Sequence, residues 1–284
     1  MDFLLEGIRA VTWQQGVMYA VGIILIWLAI NKEYEPSLLL PMGFGAIMVN
    51  LPMSGVLDQL VQGKVPAAGI IEWLYKVGIE SSEMMPLLLF IGIGAMIDFG
   101  PLLSQPFYFL FGAAAQFGIV AAYSYMALVP IIQPFAIKLV TTKKERQIRM
   151  SYNAKAIPKS TRIAFPIAVT MIVGFISPQS VALVGFLMFG NLLRECGVLN
   201  TLSQTAQDQL VNLITLLLGI TISFSMQAEQ FVNLQTLMIL GLGLIAFVFD
   251  TMAGVLFAKL VNVVLAIMRK PLINPMIGGC GISA

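Results

Sequence analysis

The fold of this chain is decided by one stretch, Met85-Pro-Leu-Leu-Leu-Phe-Ile-Gly-Ile-Gly-Ala-Met-Ile-Asp-Phe-Gly-Pro-Leu-Leu103, whose single charged residue is Asp98. A carboxylate in a membrane-embedded stretch is costly unless it faces a polar cavity, so an acid here indicates a functional site. Gly92, Gly94 and Gly100 predict a helix that breaks near the acid, and a broken helix frees backbone carbonyl oxygens that bind hard cations. We therefore expect an ion site at Asp98.

The composition indicates that lipid surrounds most of the chain. Of the 284 residues, 58% are hydrophobic and 11% are charged, and the mean hydropathy is +0.90. These values lie outside the range of soluble domains. The uncharged stretch between Arg9 and Lys32 is long enough to cross the roughly 30 Å hydrocarbon core as one helix. The sequence therefore predicts an all-α polytopic membrane protein without a sizeable soluble domain.

The cysteine and histidine content excludes several kinds of chemistry. The two cysteines, Cys196 and Cys280, are far apart, and the chain contains no histidine. This spacing supports neither a disulfide framework nor a zinc site. Without histidine, the chain also lacks the usual general base and any Ser-His-Asp arrangement.

Half of the basic residues lie in one short segment, 138–162, in which Glu145 is the only acid. Short basic loops of polytopic proteins face the cytoplasm, so this segment predicts a cytoplasmic loop. The competing interpretation, a nucleic-acid patch, is disfavoured in so apolar a chain. We expect no nucleic acid among the partners.

Helix breakers divide the rest of the chain into spans. Segment 37–56 is apolar but contains prolines and glycines, and we expect a re-entrant or discontinuous piece there. The uncharged run 99–137 would be about 60 Å long as a single helix, twice what a bilayer requires, so it predicts at least two passes. Segment 163–193 predicts two short helices that are separated at Ser177-Pro178-Gln179. Two further spans are expected at 210–226 and 234–257.

A second interrupted, glycine-rich segment closes the sequence, Asn274-Pro-Met-Ile-Gly-Gly-Cys-Gly-Ile-Ser283. With the Asp98 stretch it gives one interruption in each half, which is typical of an inverted-repeat transporter whose site lies between its repeats. Carboxylate, amide and hydroxyl oxygens are ligands that hard cations prefer. We therefore expect membrane repeats at 1–137 and 163–284, joined by the basic loop 138–162 and containing discontinuous helices and re-entrant segments.

Two interpretations stay open at the level of single residues. Glycine in a membrane helix more often serves close helix packing than ligand binding. Asp250, in an apolar run, is either a second ion ligand or an acid at a helix end near the membrane interface. The second interpretation is favoured, because snorkelling and bilayer deformation relieve such charges.

At these residues the chain resembles a known family. The motifs that carry the resemblance are Leu40-Pro-Met-Gly-Phe-Gly-Ala-Ile-Met-Val-Asn-Leu-Pro52, Gly92-Ile-Gly-Ala-Met-Ile-Asp-Phe-Gly-Pro-Leu-Leu103, Ala121-Ala-Tyr-Ser-Tyr-Met-Ala-Leu-Val-Pro130 and Ile273-Asn-Pro-Met-Ile-Gly-Gly-Cys-Gly-Ile-Ser-Ala284. They are similar to motifs of the membrane β subunit of the sodium-translocating, biotin-dependent decarboxylases. That family includes the oxaloacetate, methylmalonyl-CoA, glutaconyl-CoA and malonate enzymes.

The resemblance implies a site and a reaction. The family's aspartate carries over to Asp98, and the asparagine, glycine and serine of its second motif carry over to Asn274, Gly278 and Ser283. These four residues are the expected sodium ligands, and Asp98 and Ser283 are also the expected catalytic residues. In the implied reaction, carboxybiotin on a partner's carrier domain loses carbon dioxide while sodium is pumped outward and a proton is consumed. The implied cofactors are sodium and the partner's biotin.

The resemblance also implies partners, a location and a movement. The partners are a biotin carrier/carboxyltransferase subunit, a small membrane γ-type subunit and further copies of this chain, in a bacterial inner membrane. A mobile core is expected to rock against a scaffold. The alternative, a stand-alone sodium-coupled carboxylate transporter, needs the same oxygen-lined broken helices, so only the resemblance favours the decarboxylase.

The sequence departs from the family in two places. A family segment with a Gly-Gly-Ala-Asp-Gly-Pro-Thr type motif has no counterpart near 118–121, and the family continues past the serine into an arginine-bearing helix, whereas this sequence ends at Ala284. The sequence is either a deletion form or a join of parts of a longer protein. We expect the second, because losing one tip of the ion site would leave nothing functional.

Overall fold

A computed structural model describes residues 7, 9–61, 65–104, 129–148, 157–269 and 271–279. The described helices are α1 (Trp13–Lys32), α2 (Pro36–Val49), α3 (Ile70–Tyr75), α4 (Met84–Met96), α5 (Gly100–Ser104), α6 (Val129–Val140), α7 (Lys143–Arg146), α8 (Lys159–Ile176), α9 (Val181–Cys196), α10 (Asn200–Thr205), α11 (Val211–Ile222), α12 (Ala228–Phe231) and α13 (Leu234–Ile267). Wider π turns lie at Lys76–Glu80 and Ala206–Leu210, and 3-10 turns at Pro178–Ser180, Ser223–Met226 and Pro275–Gly279. One antiparallel hairpin joins β1 (Asp58–Val61) to β2 (Val65–Ala68).

Four helical stretches are long and apolar enough to cross a bilayer: Trp13–Lys32, Lys159–Ile176, Asn200–Met226 and Leu234–Ile267. A fifth candidate span is a helix pair, formed by α3 with its π turn and by α4, that is bent by 62°. These spans, found in the described part of the chain, confirm the prediction of an all-α polytopic membrane protein. The spans predicted at 210–226 and 234–257 are present, and both helical stretches are longer than predicted.

The break predicted inside 163–193 is confirmed. Helix α8 ends at Ile176, the backbone leaves the helical region at Ser177, and a 3-10 turn at Pro178–Ser180 leads into α9. The Ser177 and Ser180 hydroxyl groups lie 2.9 Å apart and share a hydrogen bond across the turn. The passes predicted for 99–137 fall largely on residues 105–128, outside the described residues.

Segment 37–56 lacks the discontinuity predicted within its helix, and a re-entrant course for it stays a prediction. Helix α2 runs unbroken through Pro41, Gly43 and Gly45 and ends at Val49. The breakers are tolerated because they serve packing: a methyl group at Gly43 would clash with the carbonyl oxygen of Gly22, and one at Gly45 would clash with a serine hydroxyl. The helix has 14 residues and is about 21 Å long, shorter than the hydrocarbon core.

The chain forms two compact units, and each is described by itself. Unit 1 comprises Met1–Asp98 and Pro158–Asn233, and unit 2 comprises Phe99–Ile157 and Leu234–Ala284. Each unit combines one segment from each half of the chain. The predicted repeats would be two halves of similar structure. A division by contacts does not compare the halves, so the repeats stay a prediction.

In unit 1, helices α4 and α9 cross at two glycines. A Cβ atom at Gly94 would clash with the carbonyl oxygen of Leu187, and one at Gly190 would clash with that of Ile91. A Cβ atom at Gly92 would likewise clash with the side chain of Val211. The expectation that Gly92 and Gly94 help to break the helix is therefore wrong: both lie inside α4, where the missing side chains let backbones approach closely.

In unit 2, the long helix α13 packs against α6 and the Pro275–Gly279 turn. Its buried residues form one stripe: Asp250, Thr251, Gly254, Val255 and Ala258. Asp250 is therefore a buried residue near the middle of a 34-residue helix. The interpretation of this acid as a helix-end residue is wrong, because the helix continues for 17 residues beyond it, to Ile267.

Candidate ion-binding sites

The helix break at the first candidate site lies directly at the acid. Helix α4 ends at Met96, the residues from Ile97 to Phe99 are not helical, and α5 begins at Gly100. Ile97 adopts an extended backbone with φ −74° and ψ 128°. This confirms the predicted break near Asp98, and the boundary between the two units also follows Asp98.

Side chains of α9 bind the carbonyl oxygens that this break exposes. The guanidinium of Arg194 donates to the carbonyl oxygen of Met96 at 2.7 Å, and the amide of Asn191 donates to that of Ile97 at 3.1 Å. Asn191 is buried, so its amide holds the end of α4 in place. The exposed carbonyls are therefore part of a hydrogen-bonded network between α4 and α9.

Asp98 belongs to a cluster of alternating charges. Its Oδ1 lies 3.4 Å from a guanidinium nitrogen of Arg162, and Nε of Arg162 lies 3.0 Å from Glu195 Oε2. The side chain of Asp98 is 47% exposed, whereas that of Glu195 is only 9% exposed. Arg162 thus pairs with the nearly buried glutamate and also reaches the exposed aspartate.

Sequence reasoning did not associate the charged and polar residues around this break with Asp98. Arg162 was assigned to the basic loop, and Asn191, Arg194 and Glu195 were not singled out. A signal was present for the last two, since Arg194 and Glu195 are the first charges after an uncharged run that begins at Ile163. Their proximity to Asp98 depends on how α4 and α9 pack, which no local pattern encodes.

The second candidate site begins with Asn274, whose side-chain nitrogen and oxygen both form hydrogen bonds. Nδ2 donates to the carbonyl oxygens of Arg146 and Ile148 at 3.0 and 3.1 Å, and Oδ1 accepts from the backbone N–H of Met276 at 3.0 Å. Asn274 therefore joins the basic loop to the Pro275–Gly279 turn. Its amide oxygen retains a second lone pair for another donor or a cation.

The turn itself is pressed against α13 through glycine. A methyl group at Gly278 would clash with the carbonyl oxygen of Gly254, and one at Gly254 would clash with that of Gly278. Next to this contact, the carbonyl oxygen of Gly279 accepts a hydrogen bond from Gln133 Nε2 at 2.6 Å. Ser283, the remaining predicted ligand, lies outside the described residues.

Hydrogen bonds from α13 hold the residues that precede this turn. The side-chain amide of Asn262 exchanges two hydrogen bonds, of 2.7 and 2.8 Å, with the backbone of Ile273. Nearby in unit 2, Lys259 pairs with Glu145 at 2.9 Å. Hydrogen bonds from Thr142, together with that from Lys259, lower the pKa of Glu145 to about 2, so this carboxylate is ionised at neutral pH.

The predicted site residues are thus divided between the units. Asp98 lies in unit 1, and Asn274 and Gly278 lie in unit 2. Within the described part of the chain, no group of three or more cysteine or acidic side chains is arranged to hold a metal ion. At either candidate site, a bound cation would need oxygen ligands of more than one kind, drawn from carboxylate, amide or backbone groups. Cations such as sodium accept ligands of this kind.

Comparison with known proteins gives the family. The sequence profile of the Na+-transporting oxaloacetate decarboxylase beta subunit matches residues 14–122 and 119–284. The chain belongs to this β-subunit family. Similar relatives are the methylmalonyl-CoA decarboxylase β subunit of Propionigenium modestum (38% identity, covering 94% of this chain and 82% of the relative), the oxaloacetate decarboxylase β chain of Klebsiella pneumoniae (36%, 95% and 84%) and the glutaconyl-CoA decarboxylase β subunit of Acidaminococcus fermentans (37%, 98% and 83%).

Membership of the β-subunit family confirms the resemblance and the function class. The chain is a subunit of a decarboxylase that is coupled to sodium transport, and its apolar helices make it a multi-pass membrane protein. The stand-alone carboxylate transporter is not favoured. Family membership also implies biotin on a partner subunit that serves as carrier and carboxyltransferase.

The match to the β-subunit family is split where the sequence departs from the family motifs. The two matched pieces meet at 119–122, and the alignment to the Klebsiella pneumoniae chain runs over 370 positions, more than the 284 residues present here. The relative therefore contains residues that have no counterpart in this sequence. These facts support a missing family segment near 118–121, which stays a prediction.

Proposed function

We propose that this subunit decarboxylates carboxybiotin on a partner's carrier domain and uses the reaction to move sodium outward with consumption of a proton. The observation that carries the proposal is the match to decarboxylase β subunits over at least 94% of the chain. In the reaction, the bond between the biotin ring nitrogen and the carboxyl carbon breaks. Carbon dioxide leaves, and the ring nitrogen takes up the proton.

The proposed coupling group is Asp98. A carboxylate holds either a cation or a proton, so sodium and a proton exclude each other at one oxygen pair. In this chain Arg162 is a third competitor, since its guanidinium lies 3.4 Å from Asp98 Oδ1. Sodium release on the outside costs about 2.3 kcal/mol per 100 mV, so the sodium affinity must fall when the site opens outward. Return of Arg162 to Asp98 lowers that affinity without leaving the carboxylate unpaired.

The proposed sodium ligands from the second segment are Asn274, Gly278 and Ser283, and Ser283 is proposed, like Asp98, as a catalytic residue. The amide oxygen of Asn274 is held by its bond from Met276, and the carbonyl of Gly278 is held against Gly254. Ligands held in this way lose little freedom when a cation binds.

We further propose a bacterial inner-membrane complex of this chain with the carrier/carboxyltransferase, a small membrane γ-type subunit and further copies of the chain. The repeats 1–137 and 163–284, with the loop 138–162 between them, would form a mobile core and a scaffold. Rocking of the core relative to the scaffold would expose the site to each side of the membrane in turn.

The proposed function is tested on the reconstituted complex with a carboxylated biotin carrier as substrate. We expect release of carbon dioxide that requires sodium and stops when the carrier is omitted. The control is a carrier whose biotin has been blocked by avidin. Sodium-coupled uptake of a free carboxylate by this subunit alone, with no biotinylated partner in the native complex, would overturn the proposal in favour of a transporter.

The topology is tested by labelling a cysteine in the basic loop. Lys144 is exposed and lies in α7, so Lys144→Cys is expected to react with a membrane-impermeant maleimide only after the cytoplasmic face is opened. The parent protein carries Cys196→Ser and Cys280→Ser and is the unlabelled control. Labelling of Lys144→Cys from the outside of intact cells would reverse the assigned topology.

A further inference from the structure

Unit 2 contains a buried carboxylate whose charge is not compensated by any described residue. Asp250 is 6% exposed, and its Oδ1 has no hydrogen-bond partner in the described part of the chain. It lies near the middle of α13, which is long enough to span a bilayer. An acid in that position is costly unless a proton or a cation neutralises it, and such residues commonly line ion paths.

Asp250 shares a helix face with the second candidate site. Residues four apart lie on the same face of a helix, so Asp250, Gly254 and Ala258 form one line along α13. Gly254 touches the carbonyl of Gly278, and Ala258 packs with Ile273 in one apolar cluster. The carboxylate is therefore placed one helical turn from the point where the glycine turn meets α13.

Asp250 is also the available acid of this unit. The two acids encoded in the sequence of unit 2 are Glu145 and Asp250. The charge of Glu145 is already compensated, since it pairs with Lys259 and accepts hydrogen bonds from Thr142. A monovalent cation near the glycine turn is bound more favourably when one full negative charge offsets its own. Within unit 2, Asp250 is the residue that offers one.

We propose that Asp250 is a cation ligand, and that its carboxylate forms a sodium site in unit 2 on the face of α13 that meets the Pro275–Gly279 turn. This inference rests on sodium transport by the subunit and adds a charged ligand to those carried over from the family motifs. It explains why the middle of an apolar helix holds a buried acid whose Oδ1 accepts no hydrogen bond from the residues that the structure describes. In a site of this kind, sodium bound at Asp250 is shielded from water by the surrounding buried stripe.

The proposal is tested by measuring how sodium protects native Asp250 in the purified complex. A hydrophobic carbodiimide reacts with protonated, membrane-embedded carboxyl groups, and peptide mass spectrometry reports the modified residue. We expect modification of Asp250 in sodium-free buffer and its suppression by sodium, with potassium as the control salt. Because this experiment uses the unaltered protein, it does not depend on whether a variant folds. The absence of a sodium-dependent difference at Asp250 would overturn the proposal.

A variant gives an independent measurement. Asp250→Asn keeps the size of the side chain and removes its charge, and we expect the sodium concentration for half-maximal ²²Na⁺ binding to rise about tenfold or more. The matched control is Glu229→Gln, which changes an exposed acid in unit 1. Unchanged sodium binding in Asp250→Asn would contradict the proposal. Failure of the proposed function is recognised separately, because unaltered protein would then release carbon dioxide without any sodium requirement.

Discussion

Asp98→Asn is expected to abolish sodium-coupled turnover, with a loss of about 100-fold or more in sodium-dependent decarboxylation. The amide has nearly the same shape, but it cannot exchange a proton and it coordinates sodium only weakly. The fold is expected to survive, because the Asp98 side chain is 47% exposed and exposed ion pairs contribute about 0–1 kcal/mol to stability. The measurement is carbon dioxide release by the reconstituted complex over a range of sodium concentrations.

The control for this prediction separates the charge of Asp98 from its ion pair. Arg162→Gln removes the partner and keeps the carboxylate, and we expect this variant to retain a sodium response while Asp98→Asn loses it. Thermal unfolding of both variants checks the fold, since Arg162→Gln also removes the closer of the two guanidinium groups that pair with the nearly buried Glu195 and leaves it only the more distant Arg194. Asp98→Asn turning over at the rate of the unaltered protein would remove Asp98 from the site.

Gly278→Ala is expected to inactivate the complex, whereas the neighbouring Gly279→Ala is expected to be tolerated. A methyl group at Gly278 would meet the backbone carbonyl of Gly254, which cannot move without displacing α13. A methyl group at Gly279 would lie 3.3 Å from its nearest neighbour, Cδ1 of the Ile137 side chain, which can move aside. Overpacking typically costs about 1–3 kcal/mol and more when backbone atoms are displaced.

The measurements are thermal unfolding of the purified complex and sodium-dependent turnover. Gly254→Ala places its methyl group in the same contact from the other side, so it should reproduce the loss seen in Gly278→Ala. Equal behaviour of Gly278→Ala and Gly279→Ala would show that the contact between the turn and α13 is not required. The adjacent pair is matched in residue type and in substitution.

Several properties of this protein follow from its sequence alone. The apolar composition requires a membrane environment, because the backbone groups of an uncharged run are satisfied in lipid only by helices. The breaks at Asp98 and at Ser177 are local effects. Near Asp98, Phe99-Gly-Pro is a poor continuation of a helix, and Ser177 precedes a proline that disfavours the helical conformation before it. The family motifs are likewise contiguous in the sequence, which is why the resemblance was available without a structure.

The roles of other residues depend on contacts between segments that are distant in the sequence. Gly92 and Gly94 are compatible with a helix break and with close packing, and the contacts decide between the two: Gly94 lies against the backbone of α9, and Gly92 lies against Val211 of α11. The partner of Asp98 is Arg162, 64 residues away, and it is oriented by Glu195 on another helix. No periodicity encodes such pairs.

Asp250 shows the difference most clearly. The sequence determined that an acid lies in an apolar run, but an acid near a helix end and an acid in a helix centre look alike until the helix bounds are known. Tertiary structure decided the matter, because α13 continues to Ile267 and buries Asp250 in the stripe that packs on α6 and the glycine turn. The physical reason is that hydropathy and breaker residues act along the chain, whereas the free energy of a buried charge depends on which atoms from other segments surround it.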